Sequence, residues 1–119
     1  GARLHELAEA YPRHARRLLS IKERLWDMAG PFRMGYYVHP KFQGRWTIKL
    51  VLPALVPNMT YEGMTISEGG EASIAYLNLM EGKLPAAESK KLIQALRAYC
   101  GQDTLAMVKL LDVLHKQIA

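Results

Sequence analysis

The chain has 119 residues, half of them apolar, and a formal net charge of +5. This length suits a single domain or part of one, and the apolar fraction is sufficient for a core. No stretch approaches the roughly 18 consecutive apolar residues that a membrane-spanning helix needs, and the amino terminus lacks the apolar segment of a signal peptide. The single cysteine, Cys100, excludes an internal disulfide and suits a reducing compartment. We therefore expect a cytoplasmic protein with no membrane partner.

The start of the chain predicts an amphipathic helix over residues 3–10, because its apolar positions follow the helical period. A natural chain rarely begins inside a helix, so we expect an internal piece of a longer protein. Pro12 should end this helix and begin a second one at 12–25, since a first turn does not need the amide hydrogen that proline lacks. We expect residues 1–119 to form a single partial domain, the carboxyl-terminal part of a larger one.

The middle of the chain is expected to contain the few short strands of the fold, and residues 58–66 are predicted as a loop with at most one extended stretch. Residues 35–39 are rich in β-forming side chains and end at Pro40, which predicts a short strand. Thr47 is a predicted N-cap for a helix over 48–55, with its hydroxyl accepting a hydrogen bond from a backbone amide. Pro53 should shorten or kink that helix.

Two further helices are predicted in the second half. A turn at 67–71 leads into a helix over 71–81, which Gly82 ends. From there the apolar residues recur every three to four positions, which predicts a long helix over 88–116 that can bend at Gly101. Together these elements predict an α+β fold that is mostly helical.

Basic residues are concentrated in the first half, whose fifty residues contain ten Lys and Arg against four acidic residues. Arg13, Arg16 and Arg17 recur at helical spacing and can follow phosphates along one face. Arg45 and Lys49 alternate with aromatic residues, a pattern that can stack on a single nucleic-acid strand and neutralise it. These five residues are the predicted nucleic-acid contacts. The alternatives are a solvated helix face for the first group and packing on the core for the aromatic segment.

Tyr99 and Asp103 are four residues apart, which places a phenol and a carboxylate on one helix face. In a two-metal phosphodiesterase, carboxylates hold Mg²⁺ or Mn²⁺ and a further group positions the attacking water. Asp103 suits the first task and Tyr99 the second. On spacing alone, Asp103 and Thr104 could instead cap a helix over 104–116. The cap requires a break in the helix at 101–102. The catalytic hypothesis requires a continuous helix and an Asp103 carboxylate that accepts no hydrogen bond from the amides of Leu105 or Ala106.

Residues 96–107, Leu-Arg-Ala-Tyr-Cys-Gly-Gln-Asp-Thr-Leu-Ala-Met, resemble the third motif, Tyr-x-x-x-Asp, of ribonuclease H-like 3′–5′ exonucleases of the DEDDy group. They are similar to the Tyr-Cys-x-x-Asp form found in proofreading polymerases. The resemblance implies the carboxyl-terminal, mostly helical part of a ribonuclease H-like α+β fold with few short strands. It also implies metal-dependent hydrolysis of nucleic-acid phosphodiesters by the intact domain, with Asp103 as a metal ligand and Tyr99 orienting water.

The whole chain also resembles an uncharacterised bacterial family, a domain of unknown function for which the same exonuclease-like fold is expected. The residues that carry this resemblance are Arg3-Leu4, Glu6-Leu7-Ala8, Asp27, Tyr36-Tyr37, His39-Pro40, Ile48-Lys49, Val51-Leu52-Pro53-Ala54-Leu55, Gly69-Gly70, Ala72, Tyr99-Cys100 and Asp103-Thr104-Leu105-Ala106-Met107-Val108. Within it, Asp27 is similar to an acidic position that supports the structure and is not assigned to metal.

The chain departs from the DEDDy pattern, which also includes Asp-x-Glu on the first strand and another acidic residue ahead of the helix that begins near Arg3. None of the three Asp residues is followed by Glu two positions later. The resemblance therefore implies that two of three metal-ligand motifs lie upstream. We expect Mg²⁺ or Mn²⁺ in the intact domain, but no cofactor and no nuclease activity in this piece.

Two alternatives remain open. One is a non-catalytic helical domain that binds nucleic acid or a partner nuclease, and the other is a helical interaction domain in which Asp103 is a cap. A piece without its central strands can also expose apolar surface and self-associate.

Overall fold

The computed structural model describes residues 1–118, and six α-helices account for most of them. In chain order they are α1 (Ala2–Ala10), α2 (Ala15–Glu23), α3 (Gly30–Arg33), α4 (Ile48–Leu55), α5 (Gly69–Met80) and α6 (Ala86–Ile118). Two 3-10 turns, Pro12–His14 and Pro40–Phe42, precede α2 and α4. The chain divides into two compact units. The first comprises residues 1–30, and the second begins at Pro31 and includes the remaining described residues.

The first unit contains α1 and α2, which pack against each other. Ala8 of α1 is buried, and Ala15 and Leu18 of α2 are half-buried. The amide of Tyr11 donates to the carbonyl of Leu7 at 2.9 Å and closes α1. The predicted helix boundary at the following proline is confirmed, although a 3-10 turn precedes α2.

In the second unit, α6 is the helix against which both α4 and α5 pack. The unit buries the side chains of Phe32, Phe42, Val51, Leu52, Tyr61, Ile66, Ala75, Ala106 and Leu110. Ala106 and Leu110 are four residues apart on α6, so they share the face that is turned to the core. Full burial of a Val or Leu side chain contributes about 1.5–3 kcal/mol, and Val51 and Leu52 of α4 are 1% and 0% exposed. These two side chains therefore anchor α4 in the core of the unit.

The predicted strand at residues 35–39 is wrong, and with it the α+β fold class, because residues 1–118 contain helices and turns but no strand. Gly35 adopts a left-handed φ of +73°. The amides of Tyr36 and Tyr37 both donate to the carbonyl of Pro31, at 2.9 and 3.1 Å, so the segment folds back over the end of α3. β-forming side chains favour a strand only where they can pack on a sheet. The described part of the chain has no neighbouring strand with which residues 35–39 could form a sheet. The described chain is all-helical.

The start of α5 is fixed by a capping box between Glu68 and Glu71. The carboxylate of Glu71 accepts hydrogen bonds from the amides of Ser67, at 2.9 Å, and Glu68, at 3.2 Å. The hydrogen bond from the Ser67 amide is the main cause that lowers the pKa of Glu71. Desolvation opposes this effect, and the Ser67 hydroxyl lowers the pKa further. The box places the first residue of α5 at Gly69, two positions before the predicted start.

Thr47 is the N-cap residue of α4, as predicted, but the predicted role of its hydroxyl is wrong. The side chain makes no capping hydrogen bond to the helix. The Thr47 carbonyl instead accepts the amides of Leu50 and Val51, both at 3.0 Å. Pro53 lies inside α4, which ends at Leu55 as expected.

Two glycines should respond in opposite directions to alanine. No neighbouring atom lies within 4 Å of a Cβ added at Gly101, and alanine is favoured over glycine inside a helix by roughly 0.5–1 kcal/mol. We expect Gly101→Ala to raise the free energy of unfolding, measured by urea denaturation, by about that amount. Gly35→Ala should lower it by about 1 kcal/mol, because a left-handed φ is strained for an L residue. Shifts of the same sign would contradict this expectation.

Candidate functional site

Tyr99 and Asp103 lie on adjacent turns of α6, which continues without a break through Gly101. Both side chains line one cleft of about 400 Å³ in the second unit. The cleft is formed with residues from the starts of α4 and α5 and from the loop between them. Its lining residues are Thr47, Ile48, Lys49, Tyr61, Ser67, Glu68, Gly69, Tyr99 and Asp103. We call it the tyrosine cleft. The continuous helix that the catalytic hypothesis requires is therefore present.

The alternative in which Asp103 caps a helix is wrong, because α6 begins at Ala86 and Asp103 lies inside it. The hydroxyl of Thr104 donates to the carbonyl of Cys100 at 2.9 Å, a bond between residues four apart within the helix. The Asp103 carboxylate instead accepts a hydrogen bond from a side chain of another segment. The catalytic hypothesis requires that Asp103 accept no hydrogen bond from the amides of Leu105 or Ala106, and the bond observed at its Oδ1 atom comes from a side chain instead.

The donor to Asp103 is Tyr61, whose hydroxyl lies 2.6 Å from the Asp103 Oδ1 atom. Tyr61 is 4% exposed, and its ring lies 6.2 Å from the Tyr99 ring, centroid to centroid, at an interplanar angle of 54°. A second bond joins the same two segments, from Gln102 Nε2 to the carbonyl of Thr60 at 3.0 Å. Two consecutive loop residues, Thr60 and Tyr61, are therefore hydrogen-bonded to two consecutive residues of α6.

Sequence reasoning missed Tyr61. It lies 42 residues before Asp103, in a segment predicted only as loop, and no local spacing relates the two residues. The one available signal was the aromatic side chain itself, which has no other aromatic residue beside it in residues 56–68. Buried tyrosines often pack on a core while their hydroxyls find a partner.

Both tyrosines of the cleft are held in their neutral form. Burial is the main cause that raises the pKa of Tyr61, and the hydrogen bond to Asp103 and its negative charge add to the effect. The pKa of Tyr99 is also raised, first by desolvation and then by the charge of Asp103. At neutral pH, the cleft therefore contains a carboxylate and two neutral phenols, of which Tyr61 donates a hydrogen bond to that carboxylate.

Lys49 and Glu68 add a cation and an anion to the tyrosine cleft. They form an ion pair that links the first turn of α4 to the N-cap of α5. The start of α5 also approaches Tyr99, because a Cβ added at Gly69 would lie 3.7 Å from the Tyr99 hydroxyl. Both partners of the ion pair are partly exposed, so its net contribution to stability is small, about 0–1 kcal/mol.

The donor set of the cleft does not fit a complete metal site. Within residues 1–118, no group of three or more His, Cys, Asp or Glu side chains is arranged to hold a metal ion. The cleft has two carboxylates, Asp103 and Glu68, and Glu68 is paired with Lys49. Mg²⁺ and Mn²⁺ prefer several oxygen ligands, so Asp103 can serve only as one ligand among others.

The predicted nucleic-acid contacts are distributed over both units. Arg13, Arg16 and Arg17 are exposed in the first unit, within and just before α2. Arg45 and Lys49 are exposed in the second unit. Of these two, Lys49 belongs to the tyrosine cleft, whereas Arg45 lines a different one.

Comparison with known proteins gives one match. Residues 1–47 match a family described as "Domain of unknown function (DUF2779)". No curated protein and no solved structure matches the chain significantly. The expected similarity to a domain of unknown function is therefore confirmed over residues 1–47. That segment ends before Tyr61, Tyr99 and Asp103, so the match does not bear on the carboxylate and the two phenols of the cleft.

The helices were also compared with the requirements of a membrane span. In the described part of the chain, no helix is both long enough and apolar enough to cross a bilayer. This includes α6, whose 33 residues would be sufficient in length.

Asp103→Ala should lower the free energy of unfolding more in the wild type than in a variant that already lacks the Tyr61 hydroxyl. Asp103→Ala leaves a largely buried hydroxyl without its acceptor, which lowers the free energy of unfolding by about 1–3 kcal/mol. In a Tyr61→Phe background this penalty is absent, so the same change should cost at least about 1 kcal/mol less. Urea denaturation of the wild type, both single variants and the double variant measures the coupling.

Asp112→Ala is the matched control for that cycle. Asp112 is exposed and lies nine residues later on α6, on the opposite face. We expect its removal to change the free energy of unfolding by no more than about 0.5 kcal/mol, with or without Tyr61→Phe. If Tyr61→Phe and Asp103→Ala change the free energy of unfolding additively, the Tyr61–Asp103 hydrogen bond does not stabilise the fold.

The raised pKa of Tyr61 should appear in the alkaline stability of the fold. A group whose pKa is raised by folding stabilises the native state fully below its unfolded pKa, and it loses that contribution as the pH rises from the unfolded pKa through the folded one. The unfolded pKa of tyrosine is about 10. The stability difference between wild type and Tyr61→Phe, from urea melts at each pH, should be constant below about pH 9 and shrink above about pH 10. A difference that persists unchanged at higher pH would refute this.

Proposed function

We propose that this chain carries the third motif of a metal-dependent 3′–5′ exonuclease that acts on nucleic-acid phosphodiesters. Asp103 is the proposed metal ligand and Tyr99 the residue that orients the attacking water. The observation that supports this best is geometric. A carboxylate and a neutral phenol project from adjacent turns of one unbroken helix into the same cleft.

The chemistry of the two side chains suits these roles. A neutral phenol can both donate a hydrogen bond to a phosphate oxygen and accept one from water, and the raised pKa of Tyr99 keeps it neutral. A carboxylate has two oxygens and about four acceptor positions, so the bond from Tyr61 to Oδ1 leaves room for a ligand. Hydrogen bonds that orient a coordinating carboxylate are a regular feature of metal sites.

The proposal requires further carboxylates, because the described residues do not complete a metal site. We propose that the intact protein binds Mg²⁺ or Mn²⁺ with ligands that lie outside this sequence, and that it acts on nucleic acid in the cytoplasm. The 119-residue chain alone is then inactive, since one carboxylate cannot hold two divalent ions against the charge of a phosphate.

A second candidate is a non-catalytic module that binds nucleic acid or a partner protein. The absence of a complete metal site among residues 1–118 favours it, as does the exposure of Arg13, Arg16 and Arg17. Such residues can contact phosphates without any chemistry. This candidate predicts binding with no metal-dependent cleavage, even in the intact protein.

The decisive experiment uses the intact protein with 5′-labelled single-stranded DNA and RNA in the presence of Mn²⁺ or Mg²⁺. We expect products that shorten from the 3′ end. Tyr99→Phe and Asp103→Asn should each lower the rate by about 100-fold or more, the usual loss when a group that positions or activates the nucleophile is removed. The 119-residue chain alone should release no product.

Two variants act as matched controls. Asp112→Asn removes an exposed carboxylate from the opposite face of α6, and Tyr76→Phe removes a hydroxyl from an exposed tyrosine of α5. Both should cleave at the wild-type rate. Cleavage that is insensitive to Asp103→Asn would sink the proposal, and tight binding without cleavage by the intact protein would support the non-catalytic module.

A further inference from the structure

A second cleft in the same unit combines aromatic and basic side chains. Its volume is about 250 Å³, and we call it the aromatic cleft. Among its lining residues are Phe32, Arg33, Tyr37, Phe42, Arg45 and Trp46. None of the proposed catalytic side chains lines it, so the exonuclease proposal leaves its role unassigned.

Three of the rings form a fixed wall. Phe32 contacts both Tyr37 and Phe42 edge to face, at 5.8 Å between ring centroids in each pair. Phe32 and Phe42 are 8% and 5% exposed, so the core holds them in place. A cleft built on such rings needs little rearrangement to accept a flat apolar ligand, and less conformational entropy is then lost on binding.

A fourth aromatic ring of the cleft is more exposed than these three. Trp46 lines the same cleft but remains 50% exposed. A half-exposed indole beside a preformed aromatic wall leaves a large apolar surface in contact with water. A flat ligand that stacked on it would cover that surface.

The local charge selects the class of ligand. Residues 28–61 contain Arg33, Lys41, Arg45 and Lys49 and no acidic residue. Arg45 is exposed and makes only a long bond of 3.4 Å, to Gln43. A flat apolar surface beside the exposed guanidinium of Arg45 is complementary to a base attached to a phosphate.

The aromatic cleft is also continuous with the tyrosine cleft along the chain. Trp46 lines the first, and the three residues after it, Thr47 to Lys49, line the second. Trp46 and Lys49 are three residues apart, which limits their Cα atoms to a separation of about 11 Å. The two clefts therefore lie next to each other at this segment.

We propose that the aromatic cleft binds one base of single-stranded nucleic acid, with Trp46 stacking on the base and Arg45 contacting an adjacent phosphate. The proposal deepens the proposed exonuclease function, on which it rests for the choice of polymer. A single strand is required because a paired base does not present its face to a side chain.

The test uses intrinsic fluorescence. The chain has two tryptophans, Trp26 and Trp46, so Trp26→Phe leaves Trp46 as the only indole. We expect a thymidine or uridine oligonucleotide to quench its emission in a saturable manner. An abasic oligonucleotide of the same length, which keeps the phosphates, should bind roughly tenfold more weakly and quench little, because stacking contributes about 1–3 kcal/mol per base.

Variants separate stacking from charge, with affinity measured by anisotropy of a labelled oligonucleotide. Trp46→Ala should weaken binding roughly tenfold and Trp46→Phe much less, because phenylalanine retains an aromatic face. Trp26→Ala, at an indole 59% exposed in the first unit, is the matched control and should leave the affinity unchanged. Arg45→Gln should reduce the slope of log K against log salt by about one.

The outcomes distinguish this inference from the exonuclease proposal. Equal affinity for intact and abasic oligonucleotides, or an unchanged affinity in Trp46→Ala, overturns base binding in the aromatic cleft. This holds even if the intact protein cleaves through Tyr99 and Asp103. Base-dependent quenching in the 119-residue chain, together with an intact protein that does not cleave, supports base binding in the aromatic cleft and overturns only the exonuclease proposal. Equal loss of affinity in Trp46→Phe and Trp46→Ala, with both variants folded by circular dichroism, also overturns stacking.

Discussion

The tyrosine cleft depends on the hydrogen bond from Tyr61 to Asp103. The bond spans 42 residues and joins a loop to the middle of the longest helix. With the adjacent bond from Gln102 to Thr60, it fixes the loop between α4 and α5 against α6. Each of these bonds contributes about 1 kcal/mol or somewhat more, and both must offset the entropy of ordering a loop. The shape of the cleft therefore depends on these two polar contacts.

Local rules predicted most of the helices, whereas every contact that forms the cleft is non-local. The amphipathic period and the positions of proline and glycine located α1, α4 and α6 to within a few residues, because helix formation depends on neighbours along the chain. The strand at 35–39 failed for the complementary reason. Strand formation requires a partner edge, which β-forming residues alone do not supply.

The candidate site shows the same division. The spacing of Tyr99 and Asp103 placed them on one helical face, and the structure confirms that geometry. Tyr61 could not be predicted, because the partner of a buried hydroxyl depends on how two distant segments meet. The capping box at Glu68 was likewise visible only as a turn, although its Glu-x-x-Glu spacing is similar to known capping pairs. Sequence spacing thus identified the residues on one element but not their partners on others.

The two clefts differ in their charged side chains. In the tyrosine cleft, Lys49 already neutralises Glu68, so Asp103 is the remaining carboxylate and two neutral phenols surround it. Such a site can orient a water or a phosphate oxygen through hydrogen bonds, but it concentrates too little negative charge to hold a divalent ion by itself. The adjoining segment of residues 28–61 carries only positive charge. The charged side chains that line the aromatic cleft include Arg33 and Arg45, so a carboxylate lines one cleft and cations line the other.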